Sequence, residues 1–266
     1  MTSSVLAVWR RREILNLLVR RDLAVKYQQS VLGYFWSLIE PLTIAATYWF
    51  IFGVLYGEDV GPGGVPYVLF LASGLFPWIW ASGVLTEATT ALTSQARLIT
   101  TIKVPREIFA IGRVAAKFFE FLAALPVLFL VAFLTGGKFT WHLLYLPAAV
   151  LVQFVMMTGI ALLLASANVM LRDVEKFTRL INRVLFYGLP IIYPLTRVLE
   201  ANLPAWVAFV YQLNPLVGVM ELYHSVWSQQ HPAALPLWSA LVGAVLALVT
   251  GWWAFRKLEP AVLKEL

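Results

Sequence analysis

Cysteine is absent from the 266 residues, which excludes disulfides, thiol nucleophiles and thiolate metal sites. Charge is scarce as well. Asp, Glu, Lys and Arg make up 13% of the chain against 61% hydrophobic residues, about half the charged share of an ordinary soluble domain. Histidine occurs only at His142, His224 and His231, without a spacing that matches a metal or protease motif. No GxxxxGK[ST] phosphate loop, HExxH or GxSxG is present, so neither ATP binding through that loop nor zinc- or serine-dependent hydrolysis is written in the chain. A carrier driven by an ion gradient needs ionisable groups at membrane depth. Here the candidates are Glu40, Glu87 and Glu120, each near a predicted cytoplasmic boundary where snorkelling or pairing with a nearby Arg accounts for it. Energy for any transport therefore comes from elsewhere. The basic residues Arg10, Arg11 and Arg12 are not followed by a compact apolar core with a small-residue cleavage site, so no cleaved signal is expected. Internal repeats, low-complexity tracts and markers of a second domain are also missing.

What the chain has is long apolar runs: 31–57, 66–93, 141–170 and 233–255, with a fifth at 118–136 that carries only Glu120. Each main run is long enough for the ~20 helical residues that cross the hydrocarbon core, and the fold class predicted is an all-α membrane protein. The region 184–226 is ambiguous, because Pro190, Pro194 and the Asn214-Pro215 pair interrupt it and proline cannot continue a helix ladder. Charge placement resolves the count. Eighteen of the twenty Lys and Arg residues fall in 1–30, 94–117, 172–183 and the tail after residue 255, and the positive-inside bias places all four segments in the cytoplasm. An odd number of crossings must then separate 184 from 232. One crossing gives six spans, at about 31–57, 66–93, 112–136, 141–170, 175–197 and 233–255 within a transmembrane domain 31–258. Both termini are then cytoplasmic, with an outer-side re-entrant helical gate region at 198–230 and a cytoplasmic tail at 259–266. The net charge of +6 and pI near 9.6 follow from this topology, and no nucleic-acid partner is expected. Residues 1–30 are too charged to span. Ile14, Leu17, Leu18 and Val25 share a stripe with Arg21, while Leu15 and Leu23 lie off it, which predicts an imperfect amphipathic helix on the cytoplasmic surface.

Residues 26–42, KYQQSVLGYFWSLIEPL, carry the most specific signal. Lys26, Tyr27, Ser30, Leu32, Gly33, Phe35, Trp36 and Pro41 make this stretch resemble the N-terminal signature of ABC type-2 export permeases, in the polysaccharide branch that includes O-antigen, teichoic-acid and galactan exporters. LITTIKVPREIF at 98–109 resembles that family's connection after its second span, NVMLRD at 168–173 its connection after the fourth, and Asn214-Pro215-Leu216 the Asn-Pro before its last span. The resemblance implies the transmembrane permease subunit of an ATP-driven exporter. Such a subunit translocates a polyprenyl-pyrophosphate-linked polysaccharide outward across the bacterial plasma (inner) membrane, in cell envelope biogenesis. It is a homodimer with two copies of a separate nucleotide-binding ATPase, which holds ATP and Mg. The permease itself is not an enzyme and binds no cofactor or metal. The resemblance places ATPase coupling at Ile99, Thr100, Lys103, Val104, Pro105, Arg106, Arg172 and Asp173.

Two further groups are read from the residues themselves. Arg20, Arg21 and Lys26 are clustered cations able to hold a lipid or pyrophosphate head group, or they anchor the chain by the positive-inside rule alone. Tyr34, Trp36, Tyr48, Trp49, Trp78 and Trp80 on the first two predicted spans either line a glycan conduit, where aromatic faces pack on sugar C–H faces, or form interfacial belts. Membrane lipids are partners in both cases. Two other functions stay open: a drug or small-lipid permease of the same superfamily, and an integral-membrane glycosyltransferase or lipid-processing enzyme. The enzyme needs acidic groups at a membrane face, and Glu58-Asp59 reads better as a solvated outer loop.

Overall fold

A computed structural model describes residues 12–27, 33–57, 60–101 and 104–265, and among these every regular element is helical apart from one isolated bridge between Val60 and Pro66. Helix α1, Arg12–Tyr27, docks on a later span. Leu15 and Leu18 lie over Gly112 of α5 (Glu107–Leu134), at 3.8 and 4.0 Å from where a β-carbon would stand. The missing side chain at Gly112 therefore sets the seam. It recruits Leu15 and Leu18, three residues apart on one face, while Leu17 is left 67% exposed. The expected stripe is thus rotated by about one residue; the side chain of Val25 lies outside the described residues.

The first apolar run begins with a tight turn, Gly33–Phe35, and continues as α2, Trp36–Tyr48, then as the wider π-helical Trp49–Leu55. Gly33 has φ +48° with open space around its missing side chain, so glycine serves the left-handed backbone here rather than close packing. Helix α3, Tyr67–Thr89, is the central post of the fold. Its 23 residues, about 35 Å at 1.5 Å per residue, are buried along most of their length. A short α4, Ala96–Thr101, leads into α5. Helix α6, Tyr145–Met170, follows a turn at Trp141–Leu144, and α7 spans Asp173–Gly188. Two short helices, α8 (Leu195–Glu200) and α9 (Ala205–Gln212), precede α10 (Pro215–Ser228) and the 32-residue α11, Ala234–Glu265.

Four of these helices, α3, α5, α6 with its preceding turn, and α11, are long and apolar enough to cross a membrane. The pair α9–α10, bent by 74° at Asn214, is a broken span or a re-entrant loop, and Pro41–Leu55 is a shorter apolar helix. The bend is locally encoded. Asn214 caps α10 by accepting from the Leu216 amide at 3.0 Å, and Pro215 takes the first helical position, where its missing N–H costs nothing.

Where one span at 175–197 was expected, the helix stops at Gly188 and the chain runs irregularly through 189–194 before α8. Pro190 and Pro194 cannot carry the ladder onward, and the carbonyls left without helical donors are served by side chains. Pro190 O accepts from His224 Nε2 at 2.9 Å and Ile192 O from the Tyr67 hydroxyl at 2.8 Å. Helix α5 begins at Glu107, earlier than the expected 112, and α11 continues beyond 255 through most of the expected tail. Both extensions are held by charge: Arg256 reaches Glu107 at 2.9 Å and Glu259 at 3.1 Å.

Helices α6 and α11 meet at bare backbone. A β-carbon on Gly159 would overlap Ala247, and one on Gly251 would overlap Gly159 itself. Small residues of this kind let spans approach closely where lipid supplies no hydrophobic drive. A buried amide adds a polar tie: Gln153 Nε2 of α6 donates to the Pro77 carbonyl of α3 at 2.9 Å.

Candidate functional site

A cavity of about 900 Å³ opens between α2, α3, α5 and α7. Helical periodicity explains which side chains border it. On α3, Leu75, Ile79, Ser82 and Thr86 recur at intervals of four, three and four, and on α7 Arg179, Asn182, Arg183 and Phe186 lie within two turns of one face. Asn182 Nδ2 joins the two walls, donating to Ser82 Oγ at 2.7 Å.

One wall is aromatic. The Phe186 ring lies between Tyr48 of α2, with centroids 5.7 Å apart, and Trp78 of α3, at 6.1 Å. Of the six predicted conduit aromatics, the structure brings Tyr48 and Trp78 together here. Trp80 also borders the space but is 2% exposed and stacked on Phe121 at 5.0 Å, as a core residue. Trp36 and Trp49 are 50% and 44% exposed and do not border the cavity. The side chain of Tyr34 lies outside the described residues. Phe186, Tyr187 and Asn182 line the cavity as well, and the sequence reading did not single them out. The signal was the i, i+3, i+4, i+7 spacing within 179–187, which a plain spanning segment conceals.

Another part of the lining is charged. Lys117 of α5, its side chain 8% exposed, places Nζ 2.5 Å from Glu87 and 3.1 Å from Glu120. Its aliphatic stem crosses Gly83 of α3, where a β-carbon would stand 2.8 Å from Lys117 Cδ. Glu87 also faces Arg113 at 3.8 Å, Arg113 pairs with Asp22 at 3.3 Å, and Asp22 accepts from Arg21 at 3.1 Å. Among the head-group candidates, Arg21 is engaged with Asp22, Arg20 is exposed, and the side chain of Lys26 lies outside the described residues.

The predicted coupling residues separate into different surroundings. Ile99 is buried with Leu92, Phe109, Trp252 and Phe255 in a second, smaller core. Thr100 is exposed, and its hydroxyl donates to the Arg97 carbonyl at 3.0 Å. Val104 and Pro105 are half-buried, and Lys103 lies outside the described residues. Arg106 pairs with Glu259 of α11 at 2.8 Å. Arg172 and Asp173 are exposed at the start of α7, where Asp173 meets Lys176 at 3.4 Å. No group of three or more potential metal ligands occurs among the described residues.

The chain that forms this helical bundle matches the family model described as ABC-2 type transporter over residues 13–227. The chain belongs to the ABC-2 type transporter family. It is a multi-pass membrane protein, and the resemblance read from residues 26–42, 98–109 and 168–173 is borne out. Among curated relatives, the permease is 26% identical to the O-antigen export system permease protein RfbA of Myxococcus xanthus, over 91% of this chain and 90% of that protein. It is 29% identical to the protein of the same name from Klebsiella pneumoniae, over 93% and 92%. A second Klebsiella pneumoniae protein of that name is 28% identical over 78% and 77%.

Proposed function

We propose that this permease is the transmembrane subunit of an ATP-driven exporter that moves a polyprenyl-pyrophosphate-linked polysaccharide outward, and that the cavity between α2, α3, α5 and α7 is part of the glycan's path. The observation that carries the reading is the aromatic wall of Tyr48, Trp78 and Phe186 facing hydroxyl and amide groups at Thr47, Ser82 and Asn182. Flat faces of this kind hold sugar rings weakly and repeatedly, and small polar groups exchange hydrogen bonds with passing hydroxyls. A polymer must slide through its carrier. Such a wall permits sliding where a deep specific pocket would stall it. The names of the relatives, O-antigen export permeases matched over most of their length, support the substrate class.

The same reading makes the chain one half of a homodimer in the bacterial plasma membrane, with two copies of a separate ATPase that holds ATP and Mg on the cytoplasmic face. Exposed apolar side chains along α7, including Phe177, Leu180, Val184 and Tyr187, suit a second copy or lipid. Thr100, Arg172 and Asp173 are the exposed members of the proposed ATPase contact. Six crossings with both termini inside require α2 with its π-helical extension and one element between 173 and 228 to join the four long spans.

Export tests the path. At matched membrane levels, Tyr48→Ala and Phe186→Ala should lower surface glycan and accumulate lipid-linked glycan inside, whereas Trp36→Ala and Trp49→Ala, which lie off the cavity, should export normally. Equal export by all four variants would remove the cavity from the path.

A further inference from the structure

Lys117 is the point at which a chain of charges reaches the cavity wall. Helix α5 rises about 1.5 Å per residue, so Lys117 stands roughly 15 Å along it from Glu107, where an ionised amine in a membrane protein needs partners. It has two. Read outward from the cavity, Glu120, Lys117, Glu87, Arg113 and Asp22 alternate in sign across α5, α3 and α1. The inner members share partners unequally. Glu87 sits close on Lys117 at 2.5 Å and farther from Arg113 at 3.8 Å, while Arg113 leans on Asp22 at 3.3 Å. Any group that takes Lys117 from Glu87 therefore frees that carboxylate to close on Arg113, at the expense of Asp22.

The cavity favours such a competitor. Its charged lining is Lys117, Arg179, Arg183 and Glu120, an excess of cations. Arg179 is held by Glu175 at 2.6 Å. Arg183 makes no ion pair among the described residues. An anion entering the space meets one guanidinium with no ion pair among the described residues and one ammonium whose partners are shared.

We propose that Lys117 binds a phosphate-type anion entering the cavity, and that the exchange passes through Glu87 and Arg113 to Asp22, loosening α1 when the site is filled. The inference rests on reading the cavity as a substrate path, but its test does not depend on export. Binding energies at coupled sites are reciprocal. Weakening the far end at Asp22, which does not border the cavity, must therefore strengthen anion binding at Lys117.

The experiment uses the full-length permease in phosphatidylcholine nanodiscs, titrated with inorganic pyrophosphate. Because the chain has no cysteine, nitroxides at Asn16→Cys on α1 and Phe133→Cys on α5 report the α1 position without background. Lys117→Gln should weaken pyrophosphate binding by about tenfold or more. Asp22→Asn should strengthen it several-fold, and Arg113→Gln should cancel that gain. Glu13→Gln, which removes the same charge from an exposed site on the same helix, should leave binding unchanged. If Lys117→Gln does not fold, Glu120→Gln carries the test, since removing a competitor for Lys117 should tighten binding. Equal effects of Asp22→Asn and Glu13→Gln would reduce the relay to bulk electrostatics and overturn it, as would unaltered binding in both Lys117→Gln and Glu120→Gln. Phosphatidylglycerol nanodiscs without pyrophosphate identify the source. An α1 displacement there assigns the phosphate to membrane lipid, displacement only with pyrophosphate assigns it to a diphosphate, and displacement in neither overturns the proposal. Normal export by the aromatic variants with an intact Asp22 effect would remove the glycan path and leave the relay standing.

Discussion

Gly83→Ala is expected to destabilise the permease when Lys117 is present and to stabilise it when Lys117 is truncated. The added β-carbon would lie 2.8 Å from Lys117 Cδ and 3.1 Å from Cε. Carbon atoms rest comfortably from about 3.5 Å, so the stem must retreat by roughly 0.7 Å. A lysine stem moves easily, but its ammonium is held by Glu87 and Glu120 at 2.5 and 3.1 Å, and the retreat is taken from those bonds. Overpacking of this kind costs about 1–3 kcal/mol. Alanine in place of a mid-helix glycine returns about 1 kcal/mol, leaving a net loss of up to about 2 kcal/mol. In a Lys117→Ala background the obstruction is gone and only the gain remains. The two backgrounds should therefore differ by about 1–3 kcal/mol with opposite signs, within the range of coupling energies for side chains in contact. Equilibrium unfolding of the four proteins in mixed micelles measures the cycle. Equal stabilisation by Gly83→Ala in both backgrounds would show that the Lys117 stem does not lie over Gly83.

Two other predictions concern the charged turns and the topology. Arg106→Glu puts a carboxylate against Glu259, and it should reduce the ATPase recovered with the permease; the swap Arg106→Glu with Glu259→Arg should restore recovery if Arg106 acts by holding the turn to α11, and continued loss would place the arginine side chain on the ATPase itself. Residues 60–64 and the end of α10 lie on one side, because Gly63 abuts Ser228, so Val60→Cys and Gln230→Cys should both label from outside intact cells and Thr100→Cys only after permeabilisation. External labelling at Thr100 would dismiss the six-span arrangement.

The membrane class, the family and several local joints were legible in the residues alone. Long apolar runs at 66–93, 141–170 and 233–255 have no stable solution in water, and the structure turns each into a helix of crossing length. Asn214-Pro215 was legible as an interruption, and the structure makes it a helix start, because that signal depends only on neighbours in the chain; the left-handed backbone at Gly33 is shown by the structure. The break after α7 was half legible. Pro190 and Pro194 announced it, but its acceptance in the interior depends on Tyr67 and His224, which are distant in sequence.

Tertiary structure decided the site. Six aromatics on the first two apolar runs are equivalent in composition, yet helix rotation sends Tyr48 and Trp78 to the cavity, Trp80 into the core and Trp36 and Trp49 outward. A rotation of one residue moves a side chain about 100° around a helix axis, and that angle is set by the partner surface, such as the gap at Gly112 that captures Leu15 and Leu18. Glu87 meets the arginine expected of it, Arg113, at 3.8 Å, but both it and Glu120 are held more closely by Lys117, whose stem crosses α3 at Gly83. Ile99, which the resemblance places at an ATPase contact, is buried with Trp252 and Phe255, a placement its local sequence does not announce. Local sequence selects which segments form helices and where they stop; the facing of each helix, and so the membership of the site, follows from the steric and electrostatic fit of surfaces that meet only after folding.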